Sequence, residues 1–89
     1  MRTNHQGPGG TVRSWTARAT PEGADAYVAF FRRTLVPQLS ALQGHRGALV
    51  LTRADAGTVH ITVLTFWDSM EAVRGFAVRH DAIALDTLR

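Results

Sequence analysis

The stretch Thr58–Ala77, TVHITVLTFWDSMEAVRGFA, begins as an alternating run and ends as a spaced apolar pattern, with the change at Trp67-Asp68. In the alternating half, Val59, Ile61, Val63, Thr65 and Trp67 share one face of a strand, while His60, Thr62, Leu64 and Phe66 share the other. Both faces are largely apolar, so burial of both is expected. Asp68 is placed to cap a helix, with Glu71 three residues on in capping-box spacing, so the strand stops at Trp67. Val73, Phe76, Ala77 and His80 continue at helical spacing, and DAIALDTLR, residues 81–89, extends that helix or forms an irregular end. No fourth strand is expected after it.

Upstream, RGALVLTRA at 46–54 and the short DAG segment form a hairpin with this strand. Ahead of the hairpin, Ala24, Tyr27, Val28, Phe31, Leu35, Leu39 and Leu42 step by three or four, which predicts a helix over 22–42. Pro37 lies inside it and removes a backbone donor, so a kink or restart is expected near LVPQL. Gly44 is the left-handed stop. TVRSWTAR, 11–18, reads as the first strand, closed by the turn residues of ATPEG. MRTNHQGPGG, 1–10, is polar and without periodicity and reads as a disordered tail. The order strand, helix, strand, strand, helix over 11–89 is an α+β, ferredoxin-like plan in one domain, with its last strand short or absent.

A chain of 89 residues with 45% apolar content is small for a self-sufficient core, and a sheet with two apolar faces wants a second cover, so a homodimer is expected. With no cysteine there is neither a disulfide framework nor a thiolate zinc site, which fits a reducing cytoplasm. No apolar run reaches the roughly 18 residues of a membrane span, and residues 1–10 do not resemble a signal sequence. The basic residues are all arginine, ten against seven acidic, and only Arg32 and Arg33 are adjacent. Nucleic-acid binding needs clustered charge, and HITVLTF lacks the aromatic pattern of an RNA-recognition strand, so neither nucleic acid nor membrane is an expected partner. His45, His60 and His80 match no compact metal motif, and GPGG precedes any strand, so no metal and no nucleotide cofactor are expected.

Trp15, the Tyr27 and Phe31 pair, LVPQL, GHRGALVLTR and, above all, VLTFWDSMEAVRGFA resemble the antibiotic biosynthesis monooxygenase family of dimeric α/β barrels, over about residues 12 to 78. The resemblance implies a dimeric barrel and, in one branch, cofactor-independent oxidation of polycyclic phenols to quinones. Another branch degrades haem. In the quinone-forming branch an Asn four residues before the strand-end Trp and a Tyr six after it help hold the substrate; here those places are Val63 and Val73, and Trp67 alone matches. The haem branch has a Trp nine residues beyond the strand-end Trp and a His ten further on, where this chain has Phe76 and Asp86.

The candidate site residues each carry two readings. Trp67 stacks on a planar substrate or donates its indole N–H to a substrate oxygen, or it simply packs a strand end. His60 takes a phenolic proton, or is a core or edge histidine. These two are the candidate catalytic residues. Arg13, on one face with Trp15, holds an anionic phenolate or makes a salt bridge, and Tyr27 orients a ligand or sits at the core edge. Phe76 and His80, on the apolar face of the last helix, complete the candidate substrate contacts; the plainer reading of His80 is an exposed helix end, and His45 reads as a loop residue. The expected function is oxidation of an aromatic or polyketide-type small molecule by O2 without a cofactor, the alternative being a non-catalytic barrel that binds a ligand or supports an assembly.

Overall fold

The computed structural model describes residues 2–7, 10–74, 76 and 80. Strands β1 (Arg2–Gly7), β2 (Gly10–Ala19), β3 (His45–Asp55) and β4 (Thr58–Trp67) form one antiparallel sheet in the order β1-β2-β4-β3. Helix α1 (Pro21–Phe30) runs through a π-helical turn, Phe31–Leu35, into α2 (Val36–Ser40). Residues 70–74 are helical, as are Phe76 and His80. This is an α+β arrangement, and with β4 lying between β2 and β3 it is compatible with a ferredoxin-like plan.

The N-terminal segment departs from expectation. Residues 2–7, read as part of a disordered tail, form β1 and pair with β2 from Arg2↔Trp15 to Gly7↔Gly10. A ladder is built from backbone groups, so a polar segment with no apolar period can still complete an open edge. Whether residues 81–89 form a strand or a helix end lies outside the described residues.

The helical segment starts where Thr20 caps it: its hydroxyl accepts from the Gly23 N–H at 3.0 Å, and Pro21 occupies the first turn, where a missing donor costs nothing. The kink expected at Pro37 takes the form of the π turn. In a regular α-helix the proline ring would clash with the carbonyl of Arg33; instead the Val36 N–H reaches back five residues to the Phe31 carbonyl, which widens the turn ahead of the ring. Register of the buried face survives, with Tyr27, Phe31, Leu35 and Leu39 all in the core.

Strands β3 and β4 meet in a two-residue turn, Ala56-Gly57, with φ of 51° and 87°. Their ladder slips between His45 and Gly47, leaving Arg46 as the extra residue of a bulge. The helical segment ends at Ser40, short of the expected Leu42, and Gly44, expected as its left-handed stop, takes φ 85° in the turn that follows. Its carbonyl accepts from the Asp68 N–H at 2.8 Å, and a Cβ there would stand 2.9 Å from that of Ala72, so the glycine also permits the two connections to touch. The cap expected from Asp68 belongs to Ser69, whose hydroxyl accepts from the Ala72 N–H at 3.3 Å. Asp68 instead takes Arg46 Nε at 2.9 Å, an ion pair that the bulge brings within reach.

One sheet face carries the core, in which Trp15, Ile61, Val63 and Trp67 meet the helical residues and Val73 and Phe76. The other does not meet the expectation of burial: His60, Thr62, Leu64 and Phe66 are half-buried there, and Leu49 and Leu51 are 50% and 52% exposed. The described helical residues lie against the first face, and none of the described residues covers the second. Among the described residues no helix is long and apolar enough to cross a membrane.

Candidate functional site

The site grows from an anomaly in the core face of β2. Strand alternation sends Thr11, Arg13, Trp15 and Ala19 to the buried side, and Arg13 goes with them, fully buried. A buried guanidinium must be hydrogen-bonded, and its Nη1 lies 3.3 Å from Nδ1 of His80, itself only 1% exposed. The second ring nitrogen, Nε2, lies 2.6 Å from the Tyr27 hydroxyl. Arginine can only donate, so Nδ1 accepts; the ring proton then sits on Nε2 and is donated to the Tyr27 oxygen.

Aromatic rings enclose this network. Trp15 lies 5.3 Å from Tyr27, stacked at 26°, and meets His80 edge-on at 5.0 Å. Phe76, one helical turn before His80, stacks on the imidazole at 5.3 Å and 18°, packs against Trp67 at 5.2 Å, and has the Arg13 guanidinium 5.7 Å from its ring centre. Trp67 is fully buried, with the His45 ring centre 5.2 Å from its own in a T-shaped contact. Desolvation lowers the His45 pKa below its ordinary value of 6.5. Thus His45 is a half-buried residue of β3, not a loop residue, because the ladder extends back to pair it with Trp67.

Phe76 and His80 also form part of the wall of a cleft of about 450 Å³. Its other apolar walls are Leu35, Leu39, Leu42 and Ala72, and Gln38, Gln43 and Glu71 supply polar groups. The cleft therefore lies between the two helical segments, with Arg13, Tyr27 and Trp67 reached through Phe76 and His80.

Five of the six residues singled out from sequence come together here: Arg13, Tyr27, Trp67, Phe76 and His80. His80 is buried at the centre and not exposed at a helix end, because its spacing of four from Phe76 keeps it on the apolar face. Arg13 is likewise interior. The sixth, His60, stands apart on the opposite sheet face, where its Nε2 lies 3.4 Å from an Asp55 carboxylate oxygen. Period-two geometry separates it from the core-facing Ile61 and Val63 beside it.

Sequence reading missed Thr11 and Thr65, both buried, whose hydroxyls have no hydrogen-bond partner among the described residues; the same holds for Trp67 Nε1. The available signal was the polar residue at a core position of an alternating strand. No group of three or more His, Asp or Glu that could hold a metal ion occurs among the described residues. Comparisons with protein-family models, with curated proteins and with solved structures give no match to this chain.

Proposed function

We propose that this chain is an antibiotic biosynthesis monooxygenase-like protein that oxidises an aromatic or polyketide-type small molecule with O2, without a cofactor, in the cleft bounded by Phe76 and His80. The observation that supports this reading is the buried Arg13–His80–Tyr27 network behind an apolar, aromatic-walled cleft. A planar substrate finds ring surface in Phe76, and the guanidinium charge favours the ionised form of a phenol or enol, the electron-rich form that reacts with O2. Such a reaction closes on its own electrons. An anthrone-type CH2 becomes C=O; one oxygen atom enters the carbonyl and the other leaves as water with the two hydrogens. All four electrons that reduce O2 come from that carbon.

A second reading, a non-catalytic dimeric α/β barrel that binds a ligand or supports an assembly, is favoured by one feature: both ring nitrogens of His80 are engaged by protein groups. In either reading the protein works as a homodimer, with the second copy lying over the sheet face that carries Leu49 and Leu51.

Oxygen uptake on a panel of anthrones and hydroxynaphthalenes, with ¹⁸O2 and mass analysis of the product, separates the two. Oxidation predicts one ¹⁸O per product and no Soret or flavin band in the purified protein. Absence of uptake with every member of the panel rejects the oxygenase reading and leaves the binding one.

A further inference from the structure

The two missed threonines point to a specificity device. Thr11 stands directly opposite Trp67 across the β2–β4 ladder, and Arg13 directly opposite Thr65, on consecutive rungs of the core face. Directly opposed Cβ atoms lie about 5 Å apart and those on the next rung about 7 Å, so the four side chains form one patch. Within it Thr11 is 2% exposed and Thr65 and Trp67 are 0% exposed, yet Thr11 Oγ1, Thr65 Oγ1 and Trp67 Nε1 have no hydrogen-bond partner among the described residues.

Buried hydroxyls without partners are costly, and valine fills the same volume without that cost. Neighbouring core positions of β4 are in fact Ile61 and Val63. The patch is also rich in donors. The indole N–H and the guanidinium only donate, whereas each threonine hydroxyl both donates and accepts, so a ligand oxygen placed among them can take every donor of the patch. The Phe76 ring touches both Trp67 and Arg13 and lines the cleft as well, which sets the patch directly behind the cleft wall.

We propose that Thr11 and Thr65, with Arg13 and Trp67 beside them, form an oxygen-recognition subsite that selects ligands carrying a phenolate, enolate or carbonyl oxygen on a planar ring system. This rests on the reading of the cleft as a small-molecule site and assigns its polar selectivity to two hydroxyls. The ring system rests in the cleft, and its oxygen reaches the patch where the Phe76 side chain gives way.

The test uses the full chain with Thr65→Val and Thr11→Val, and 2-naphthol against naphthalene as probes in equilibrium dialysis. The unmodified protein binds 2-naphthol more tightly than naphthalene. Each variant loses about tenfold or more in affinity for 2-naphthol, the scale of one hydrogen bond to a strongly accepting oxygen, and keeps its affinity for naphthalene. The unliganded variants melt at the same temperature as the parent or higher, since an unpartnered hydroxyl has been removed. A lower melting temperature would show that the hydroxyls are bonded within the protein and overturns the proposal. So does equal weakening towards both probes, no weakening at all, or a parent that binds neither probe. Selective binding without oxygen uptake upholds the subsite while the oxygenase reading falls.

Discussion

At the scale of single residues the chain places unusual chemistry in its core. Arg13, His80 and Tyr27 are all buried and joined by two hydrogen bonds, so each constrains the others. Tyr27→Phe removes the acceptor for His80 Nε2–H and should destabilise the fold by about 1 to 3 kcal/mol, the usual cost of stranding a buried polar group. Chemical denaturation measures this, and an unchanged midpoint would mean the 2.6 Å contact contributes nothing. His45 gives a pH test. Burial lowers its folded pKa below 6.5, so on acidification the unfolded chain binds the proton first. Its contribution to stability is then fully present above the unfolded pKa and is lost as pH falls from about 6.5 towards the lower folded value. His45→Gln should therefore show a shallower loss of stability than the parent across that window, and parallel curves would contradict the assignment. The general-base role read for His60 gains nothing from its position, since it faces away from the cleft and towards Asp55. His60→Ala should leave any turnover within about twofold of the parent, whereas loss of a general base costs about a hundredfold or more.

Elements show how far pattern reading reaches. The hairpin, the long helical segment and the strand end at Trp67 are legible because period two and period 3.6 differ sharply in Thr58–Trp67 and in the Tyr27, Phe31, Leu35, Leu39 series. Five of the six residues singled out from sequence come together because they are polar or aromatic groups on apolar faces. What escaped depends on contacts across the chain. The capping role passes from Asp68 to Ser69 because a bulge at Arg46 draws the carboxylate away, and no local pattern encodes a bulge. The strand at Arg2–Gly7 escaped because its pairing is carried by backbone groups that composition does not reveal. The β3–β4 turn yields a further prediction. Ala56 sits at φ 51° beside Gly57 at 87°, the pair of positive values of a type I′ turn, where a Cβ costs roughly 1 kcal/mol or more. Ala56→Asn creates the Asn-Gly pair that such turns prefer and should stabilise the protein by about 0.5 to 1 kcal/mol, read as a higher melting temperature.

At the scale of the whole molecule, the described residues leave the second sheet face and the sheet edges without cover. Leu49 and Leu51 stand half-exposed side by side with Leu64 and Phe66, and the second copy proposed above would bury them. Light scattering should give a dimer, and replacing Leu49 and Leu51 together by Asp should give a monomer. The edge of β2 is met differently. In a ferredoxin-like plan a strand following the second helix would lie beside β2; here the N-terminal β1 holds that place, pairing from Arg2↔Trp15 to Gly7↔Gly10. Strand β2 carries Thr11, Arg13 and Trp15, so the polar patch and the arginine behind the cleft depend on an edge that β1 protects. Removing residues 1–9 strips this cover and leaves the donors and acceptors of β2 open to another chain. The shortened protein should melt at a lower temperature and associate beyond the dimer as its concentration rises. If it instead keeps both the melting temperature and the hydrodynamic radius of the parent, β1 is not what closes the edge in solution.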